Sequence, residues 1–490
     1  MQNSKIRLLA GGLLLLITGG YVQAETLLPD QAWQQGKLAN GFQWQILATP
    51  QRPSDRVEMR LLINTGSLVE SAQQSGFSHF LSRLMLSQVG QQEGSLWQQS
   101  VDPQRPAPPA IVSYDSTLFH LSLPNNRSDL LKTALHTLAK NTGDLQVTSE
   151  TVNATLGMDD PVKTWPDTQD NWWRYRLKGS TLLGHDPASN IIHPIDAEKL
   201  KSFYDKWYTP DAMTLIVVGN VDSRSLVEQL NKTFGELQGK REVPAPVPTL
   251  AALKPVPVSL MSNHVRQNKL SLTWDTPWQP IRESGALLNY WRADLAREAL
   301  FWNVQQRLEK KNIKDINLSF DCGVLYQLAQ CAINIESPTD KLNTNLELVG
   351  RELLAVKNNG LSQNEFNTLV TQKKKELSQL FITYARMDTD MLMEQRIRSQ
   401  RNQVVDIAPE NYQKLRQDFL DNLTVTVLNQ DLRQQLSHDM SLILLQPQGE
   451  PEYNMKELQA VWDKVMMPKA TPPATDDPKQ EVTSVEAVSP

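Results

Sequence analysis

The chain has 490 residues, of which 40% are hydrophobic and 21% charged, and its formal net charge at pH 7 is −5. This length predicts at least two hydrophobic cores, because one domain normally has about 100 to 200 residues. The hydrophobic content excludes a wholly disordered chain. The small net charge, without a dense block of Lys and Arg, argues against a nucleic-acid-binding protein.

The first 24 residues have the pattern of a secretory signal peptide. Lys5 and Arg7 form a positively charged start, residues 8–17 are almost all apolar, and residues 22–24 are a small-x-small cleavage site. We therefore expect export, with cleavage between Ala24 and Glu25. A membrane anchor is the alternative, but the apolar run is short and polar sequence follows it. No later run reaches about 18 apolar residues, so no membrane span is predicted in the mature chain.

The predicted elements fall into two halves with the same order. In the first half we predict strands at residues 41–47 and 57–63, a helix from about Gln74, a strand pair within 111–123, a helix from the cap Ser128, a strand at 213–218 and a helix at 223–234. In the second half we predict a strand at 269–274, a helix at 283–310, a strand pair within 317–336, several helices within 341–436, a strand at 440–445 and a helix at 455–465.

This repetition predicts an α+β fold of two similar domains, each a mostly antiparallel sheet covered by helices. Five prolines lie between residues 244 and 257 and favour an extended linker. The predicted organisation is a signal peptide at 1–24, domains at 25–243 and 259–467, a linker at 244–258 and a disordered tail at 468–490. The tail is rich in Pro, Thr and acidic residues and lacks aromatic residues.

Cys322 and Cys331 are the two cysteines of the chain. They lie in the second predicted strand pair, at opposed positions of a hairpin centred on Leu325 and Tyr326. Opposed residues of a non-hydrogen-bonded pair have Cα atoms about 4.5 Å apart, which a disulfide tolerates, and an exported protein meets an oxidising environment. We predict a disulfide. Two buried thiols are the alternative, and a metal site is disfavoured because no histidine is nearby.

Several segments resemble the pitrilysin/insulinase family of zinc metallopeptidases, the inverzincins. Residues 65–85 contain a Gly-Ser-x-x-Glu turn followed by a helix that carries His79, where the family has His-x-x-Glu-His. Residues 38–42, 114–119 and 203–222 agree with further family segments in the family's order. The resemblance covers most of the mature chain and implies two pitrilysin-like domains. Together with the export signal, it implies a periplasmic protein.

The zinc motif of the family is degenerate in this chain. In the family two histidines bind Zn²⁺ and the glutamate between them takes a proton from metal-bound water. The matching residues here are His79, Ser82 and Arg83. Serine is not a base at neutral pH, and arginine stays protonated and opposes a divalent cation. We therefore predict no zinc, no other cofactor and no catalytic residue, with His79 as a structural histidine.

The resemblance also implies a third ligand, a glutamate on a later helix. The matching window, residues 155–163, contains no glutamate. It does contain Asp159 and Asp160, so an aspartate could stand in that place. One histidine and one aspartate would still be too few ligands, because protein zinc sites normally supply at least three.

These observations predict a non-catalytic pseudo-peptidase. Family enzymes enclose a peptide chamber with four such domains and this chain supplies two, so a homodimer or a heterodimer with a homologous family peptidase is implied. An unstructured peptide would bind by strand addition at the sheet edge near residues 111–119. The rival hypothesis is an active zinc metalloendopeptidase with an unusual or partner-completed site. A purely structural subunit is a third reading that the sequence does not separate from the first.

Overall fold

The structure is a computed structural model that describes residues 25–87, 96–125, 127–313 and 316–466. The predicted signal peptide and the predicted disordered tail lie outside these residues. Within them, no helix is both long enough and apolar enough to cross a membrane.

The described strands form two sheets, one in each half of the chain. The strands of the first sheet are β1 (Trp33–Lys37), β2 (Gln43–Ala48), β3 (Val57–Ile63), β4 (Ala110–Val112), β5 (Thr117–Leu123), β6 (Lys163–Thr164) and β7 (Met213–Gly219). The strands of the second sheet are β8 (Val258–Ser262), β9 (Asn268–Pro277), β10 (Asn317–Leu325), β11 (Leu328–Ser337) and β12 (Ser441–Pro447).

The described α-helices are divided between the two halves as the strands are. Those of the first half are α1 (Phe77–Ser87), α2 (Leu96–Gln99), α3 (Ser128–Gly143), α4 (Ser149–Leu156), α5 (Asn171–Arg176), α6 (Ala197–Trp207) and α7 (Ser223–Thr233). Those of the second half are α8 (Ser284–Lys310), α9 (Leu342–Asn359), α10 (Gln363–Ser378), α11 (Leu380–Arg386), α12 (Thr389–Arg401), α13 (Pro409–Asn422), α14 (Val425–Gln435) and α15 (Met455–Met466).

The two sheets share one topology. The first has the order β1-β2-β7-β3-β5-β4-β6 and the second β10-β11-β9-β12-β8, so β2-β7-β3-β5-β4 corresponds to β8-β12-β9-β11-β10. In both, one pair is parallel, β2 with β7 and β12 with β8, and the other corresponding pairs are antiparallel. The predicted repeat of one mostly antiparallel α+β unit is confirmed. The predicted domain boundaries remain predictions; β8 begins at Val258, the last residue of the predicted linker.

Each sheet buries one face under helices of its own half. Helices α1, α3 and α6 cover the first sheet, and α8 and α9 contribute to the core on the second. Two predicted helix starts were wrong, by three residues and by one. Helix α1 begins at Phe77 rather than near Gln74, because a 3₁₀ turn comes first, and the residue that precedes α3 as its N-cap is Arg127, with Ser128 already helical.

The opposite face of the first sheet is covered by a helix of the second half. Leu392, Met393 and Ile397 of α12 pack against Leu62 of β3 and Ile216 of β7, among other buried residues. The halves also meet beside the predicted linker. There the buried side chains of Arg176 and Asp275 form an ion pair at 2.8 Å. Because α12 covers one face of the first sheet and helices of the first half cover the other, that sheet has helices on both faces.

Candidate functional site

The start of α1 places His79. Gly76 has φ +84°, and a Cβ atom there would lie 2.7 Å from backbone atoms of residues 189 and 191, so the turn into the helix requires glycine. The carboxylate of Glu70 accepts hydrogen bonds from the backbone N–H groups of Gly76 (2.8 Å) and Ser78 (2.6 Å). Burial raises the pKa of Glu70 to about 7, although both hydrogen bonds lower it. Burial of Phe80, Leu84 and neighbouring apolar residues of α1 directs the helix face that carries His79 outward.

The imidazole of His79 contacts an aspartate of the predicted third-ligand window. Its Nε2 lies 2.8 Å from Oδ2 of Asp160, and the other oxygen of that carboxylate accepts from the N–H of Val162 at 3.0 Å. Burial raises the pKa of Asp160, but the hydrogen bond and charge of His79, the N–H of Val162 and the charge of Arg83 together offset this and hold it below its usual range. Asp159 is exposed. Of the two aspartates left open by the sequence, Asp160 is therefore the one that meets His79.

Ser82 and Arg83 are engaged by backbone groups. Ser82 is fully buried and its hydroxyl donates to the carbonyl of Ser78 at 2.8 Å. The guanidinium of Arg83 donates to the carbonyls of Leu156 (3.5 Å) and Met158. Leu156 is the last residue of α4, and the C-terminal end of a helix is its negative pole, which favours a cation.

These residues do not fit a zinc ion. Arg83, which the resemblance assigns to the second histidine, is a cation bound to the end of α4, and Ser82, which it assigns to the base, has its hydroxyl bound within α1. His79 and Asp160 supply two ligands, and a protein zinc site normally has at least three. The arrangement is a hydrogen-bonded His–Asp pair beside a fixed Arg.

Sequence reasoning missed a second group of ionisable residues. Glu58, His120 and Asp390 have ligand atoms within 4.8 Å of one another, on the sheet face that α12 covers. Arg60 lies among them, with Nη1 3.1 Å from Glu58 and Nη2 2.9 Å from Asp390. Burial and the charge of Arg60 lower the pKa of His120 to about 3. The signal available in the sequence was the pair of charged residues in the otherwise apolar strand β3.

The two cysteines form the predicted disulfide. Cys322 in β10 and Cys331 in β11 are directly opposed, with Cα atoms 4.1 Å apart and an S–S distance of 1.99 Å. The predicted hairpin is confirmed, but its turn is one residue later than expected. Tyr326 and Gln327 are the turn residues, with φ of 45° and 65°, the left-handed pair that a tight two-residue hairpin needs.

The predicted peptide-binding edge is covered. Residues 111 and 112 of β4 pair with β6 in parallel, and Trp165 continues the pairing by donating to the carbonyl of Val112 at 3.0 Å. β5 pairs with β3 on one side and β4 on the other. The expectation that residues 111–119 offer a free strand edge was wrong, because the later segment Lys163–Thr164 folds back onto it.

Two pitrilysin-like α+β units, with a histidine on the helix after the central strand of the first, define a member of the insulinase class of peptidase-fold proteins. A family model described as insulinase (peptidase family M16) matches residues 46–172, and one described as the peptidase M16 inactive domain matches residues 194–373. The chain belongs to the insulinase (M16) family.

Among its relatives, the chain is 68% identical to protein YhjJ of Escherichia coli over 99% of both chains, and 66% identical to protein YhjJ of Salmonella typhimurium over 99% of this chain and 100% of that protein. A solved structure described as a predicted insulinase family protease from Yersinia pestis is 59% identical and superimposes with a TM-score of 0.88, covering 94% of this chain and 100% of that one. The periplasmic protease PqqL from Escherichia coli, at 19% identity and a TM-score of 0.75, shares the fold over 94% of this chain and 53% of its own.

Proposed function

We propose that the chain is a periplasmic, non-catalytic member of the insulinase family that binds extended peptides or pairs with a family peptidase. One observation carries the non-catalytic part: the guanidinium of Arg83 sits in the place of a zinc ligand and is held by two backbone carbonyls. A guanidinium is not deprotonated in proteins, so Arg83 keeps its positive charge when the pH changes and continues to repel a metal ion.

The absence of a general base at Ser82 also supports the non-catalytic proposal. General base catalysis contributes about 10²- to 10⁴-fold to rate, and the buried hydroxyl of Ser82 has no such capacity. The periplasmic location and cleavage after Ala24 rest on the N-terminal sequence pattern and on the periplasmic description of PqqL.

The rival proposal, an active zinc metalloendopeptidase with an unusual site, has one observation to draw on, the group of Glu58, His120 and Asp390. That group does not favour a metal, because Arg60 already binds both carboxylates within it. It also lies on the face of the first sheet opposite to α1, so it could not share an ion with His79.

For peptide binding, the second sheet offers the edge that the first sheet lacks. β10 is nine residues long, pairs with β11, and has no strand on its other side among the described residues. In an antiparallel pair alternate residues direct their N–H and C=O groups away from the partner strand. Counting back from the two-residue turn shows which residues of β10 these are. Their N–H and C=O groups point away from β11 at Leu318, Phe320, Cys322 and Val324. An extended peptide, or a strand of a partner subunit in a homo- or heterodimer, can pair with these groups.

The test of the non-catalytic proposal uses the mature chain from Glu25 onward, dialysed against zinc and then incubated with unstructured peptides. We expect no stoichiometric zinc and no chelator-sensitive cleavage, in the wild type and in His79→Ala alike. We also expect Ser82→Glu combined with Arg83→His to restore little activity, because residues 155–163 contain no glutamate to serve as the third ligand. Stoichiometric zinc with cleavage that His79→Ala abolishes would overturn the proposal.

Peptide binding is tested separately, by the fluorescence anisotropy of labelled unstructured peptides. Leu318→Pro removes an outward N–H of β10 and should abolish binding, whereas Leu318→Ala, the matched control, keeps the N–H and should retain it. Equal binding by both variants would refute strand addition at this edge.

A further inference from the structure

A large groove in the second half is lined by two buried arginines, each with a buried nitrogen donor that has no hydrogen-bond partner among the described residues. The groove has a volume of about 1110 Å³ and lies between the N-terminal part of α8, the tip half of the β10–β11 hairpin, and α12 and α13. Arg297 of α8 and Arg416 of α13 both line it, and each is 8% exposed.

Neither guanidinium is satisfied by the residues around it. Arg297 makes one long contact, 3.4 Å from Nη2 to the Asp294 carboxylate, and its buried Nε has no hydrogen-bond partner among the residues that the structure describes. Arg416 makes no hydrogen bond and no ion pair with any described residue, and its buried Nη1 has no partner. A buried N–H donor normally finds an acceptor, and a buried charge normally finds a counter-charge, since leaving either alone is costly.

The walls around these donors are aromatic. The guanidinium of Arg416 lies 5.0 Å from the ring centre of Trp291, which packs edge-on against Tyr412 at 5.4 Å. Tyr290 packs against Trp278 at the neighbouring wall, 5.8 Å away. Burial, with the charge of Asp294, raises the pKa of Tyr290, and the charges of Arg297 and Arg416 act in the opposite direction.

The charge of the lining also favours an anion. The acidic side chains of the groove are Glu283, Asp294 and Asp406, and the basic ones are Arg282, Arg297, Arg398 and Arg416. The carboxylate of Asp406 is neutralised from outside the lining by Arg396, at 2.8 Å. An excess of positive charge therefore faces the groove.

From this geometry we infer a binding site for an organic carboxylate that has an aromatic or aliphatic body. The carboxylate would accept the free N–H donors of Arg297 and Arg416, and the body would lie against the rings of Trp291, Tyr290 and Tyr412. Guanidinium groups bind carboxylates in two-pronged geometry, and aromatic walls stabilise an apolar body rather than a small hydrated ion. Binding of a carboxylate in this groove requires neither the loss of zinc nor the pairing of β10 with a peptide strand.

The test is calorimetric titration of the full mature chain with matched probes. N-acetylphenylalanine carries the carboxylate and the ring, its amide lacks the charge, and inorganic phosphate lacks the body. We expect the acid to bind and the amide and phosphate to bind much more weakly. A peptide ending in a free Phe carboxylate that binds more tightly than the small acid would identify peptide termini as the source, and weaker binding would identify free acids.

Substitutions of the two arginines test whether each donates hydrogen bonds to the bound carboxylate. Arg297→Gln and Arg416→Gln should each weaken binding of the acid by about ten- to a hundredfold, the usual effect of losing a hydrogen bond to a charged group. Arg416→Lys, which keeps the charge without the fork, should fall in between and guards against misfolding of the Gln variant. Arg433→Gln, on the exposed side of α14, is the control and should change nothing. Equal binding of acid and amide, binding of phosphate as tight as that of the acid, no binding of any probe, or full affinity in both Gln variants would overturn the inference.

Discussion

The outer faces of the two sheets differ although the strands have the same order. In the first sheet Glu58 and Arg60 of β3 are buried beneath α12, where Arg60 is fully inaccessible and bridges Glu58 and Asp390. In the second sheet the corresponding central strand is β9. There Lys269 is partly exposed, and it lies 3.7 Å from the exposed carboxylate of Asp321. One topology therefore supports a buried ionic network on one sheet and a solvated ion pair on the other.

This difference has a physical cause outside the sheets. The segment α11–α12 leaves the second half and lies across the first sheet, with Arg52 donating to the backbone carbonyls of Tyr384 (2.6 Å) and Met387 (2.8 Å). The element that covers a strand determines how much the ion pairs of that strand contribute to stability. A buried charge without a partner destabilises the folded state far more than a hydrated one.

The largest expected effect comes from breaking the buried network. Arg60→Met leaves the Glu58 carboxylate under α12 without its cation, and we expect a loss of about 3–5 kcal/mol in the free energy of unfolding. Urea denaturation at pH 7 measures it. Lys269→Met, on the equivalent strand of the second sheet, is the matched control and should change stability by under about 1 kcal/mol. Similar effects of both substitutions would contradict the contrast between the two faces.

A buried carboxyl that forms no ion pair with any described residue should make the first half sensitive to pH. The pKa of Glu70 is about 7 when folded and 4.5 when exposed, so between these values the folded state holds the proton and the unfolded state does not. Its contribution is complete below pH 4.5 and is lost as the pH rises to about 7, by up to about 3 kcal/mol.

Chemical denaturation of Glu70→Gln and wild type across this pH range tests the assignment. The variant should lose this part of the decline in stability. Glu150→Gln, at an exposed site on α4, should retain it. An unchanged slope in Glu70→Gln would show that another group titrates.

The disulfide belongs to the second half and should act mainly on the unfolded chain. Labelling of the unfolded, unreduced mature protein should find no free thiol. Replacing both cysteines by serine should cost roughly 2–3 kcal/mol, because the closed loop is short. Two labelled thiols would refute the disulfide. Thermal unfolding of the double variant measures the loss of stability.

The smallest effect is expected at the His79–Asp160 pair. The carboxyl side chain is 40% exposed and the imidazole 19%, so solvent screens the contact. Asp160→Asn should cost under about 1 kcal/mol near neutral pH. The pKa of Asp160 is lowered in the folded state, so this difference from wild type should vanish as the pH falls through its folded value. Asp159→Asn is the control and should have no effect, and a loss as large as that in Arg60→Met would show that the pair is more buried than its exposure indicates.

Local sequence patterns determined much of the fold. The bounds of β3 agree with those predicted from apolar runs, and β7 differs from its prediction by one residue. Spacing alone placed Cys322 opposite Cys331, because a hairpin joins neighbours in the chain and its register follows from the turn. The identities of His79, Ser82 and Arg83 were enough to predict a degenerate zinc motif, and the structure adds what each of them binds.

Contacts between distant segments were decided by the tertiary structure alone. Asp160 meets His79 across 81 residues, and no periodicity distinguishes it from Asp159. The covering of β4 by β6, and of Glu58 and Arg60 by α12, likewise depends on segments far away in sequence. The unsatisfied donors of Arg297 and Arg416 belong to helices that meet only after folding. Alternation along a strand tells which side chains share a face, but the packing of other elements determines whether water or protein lies against that face.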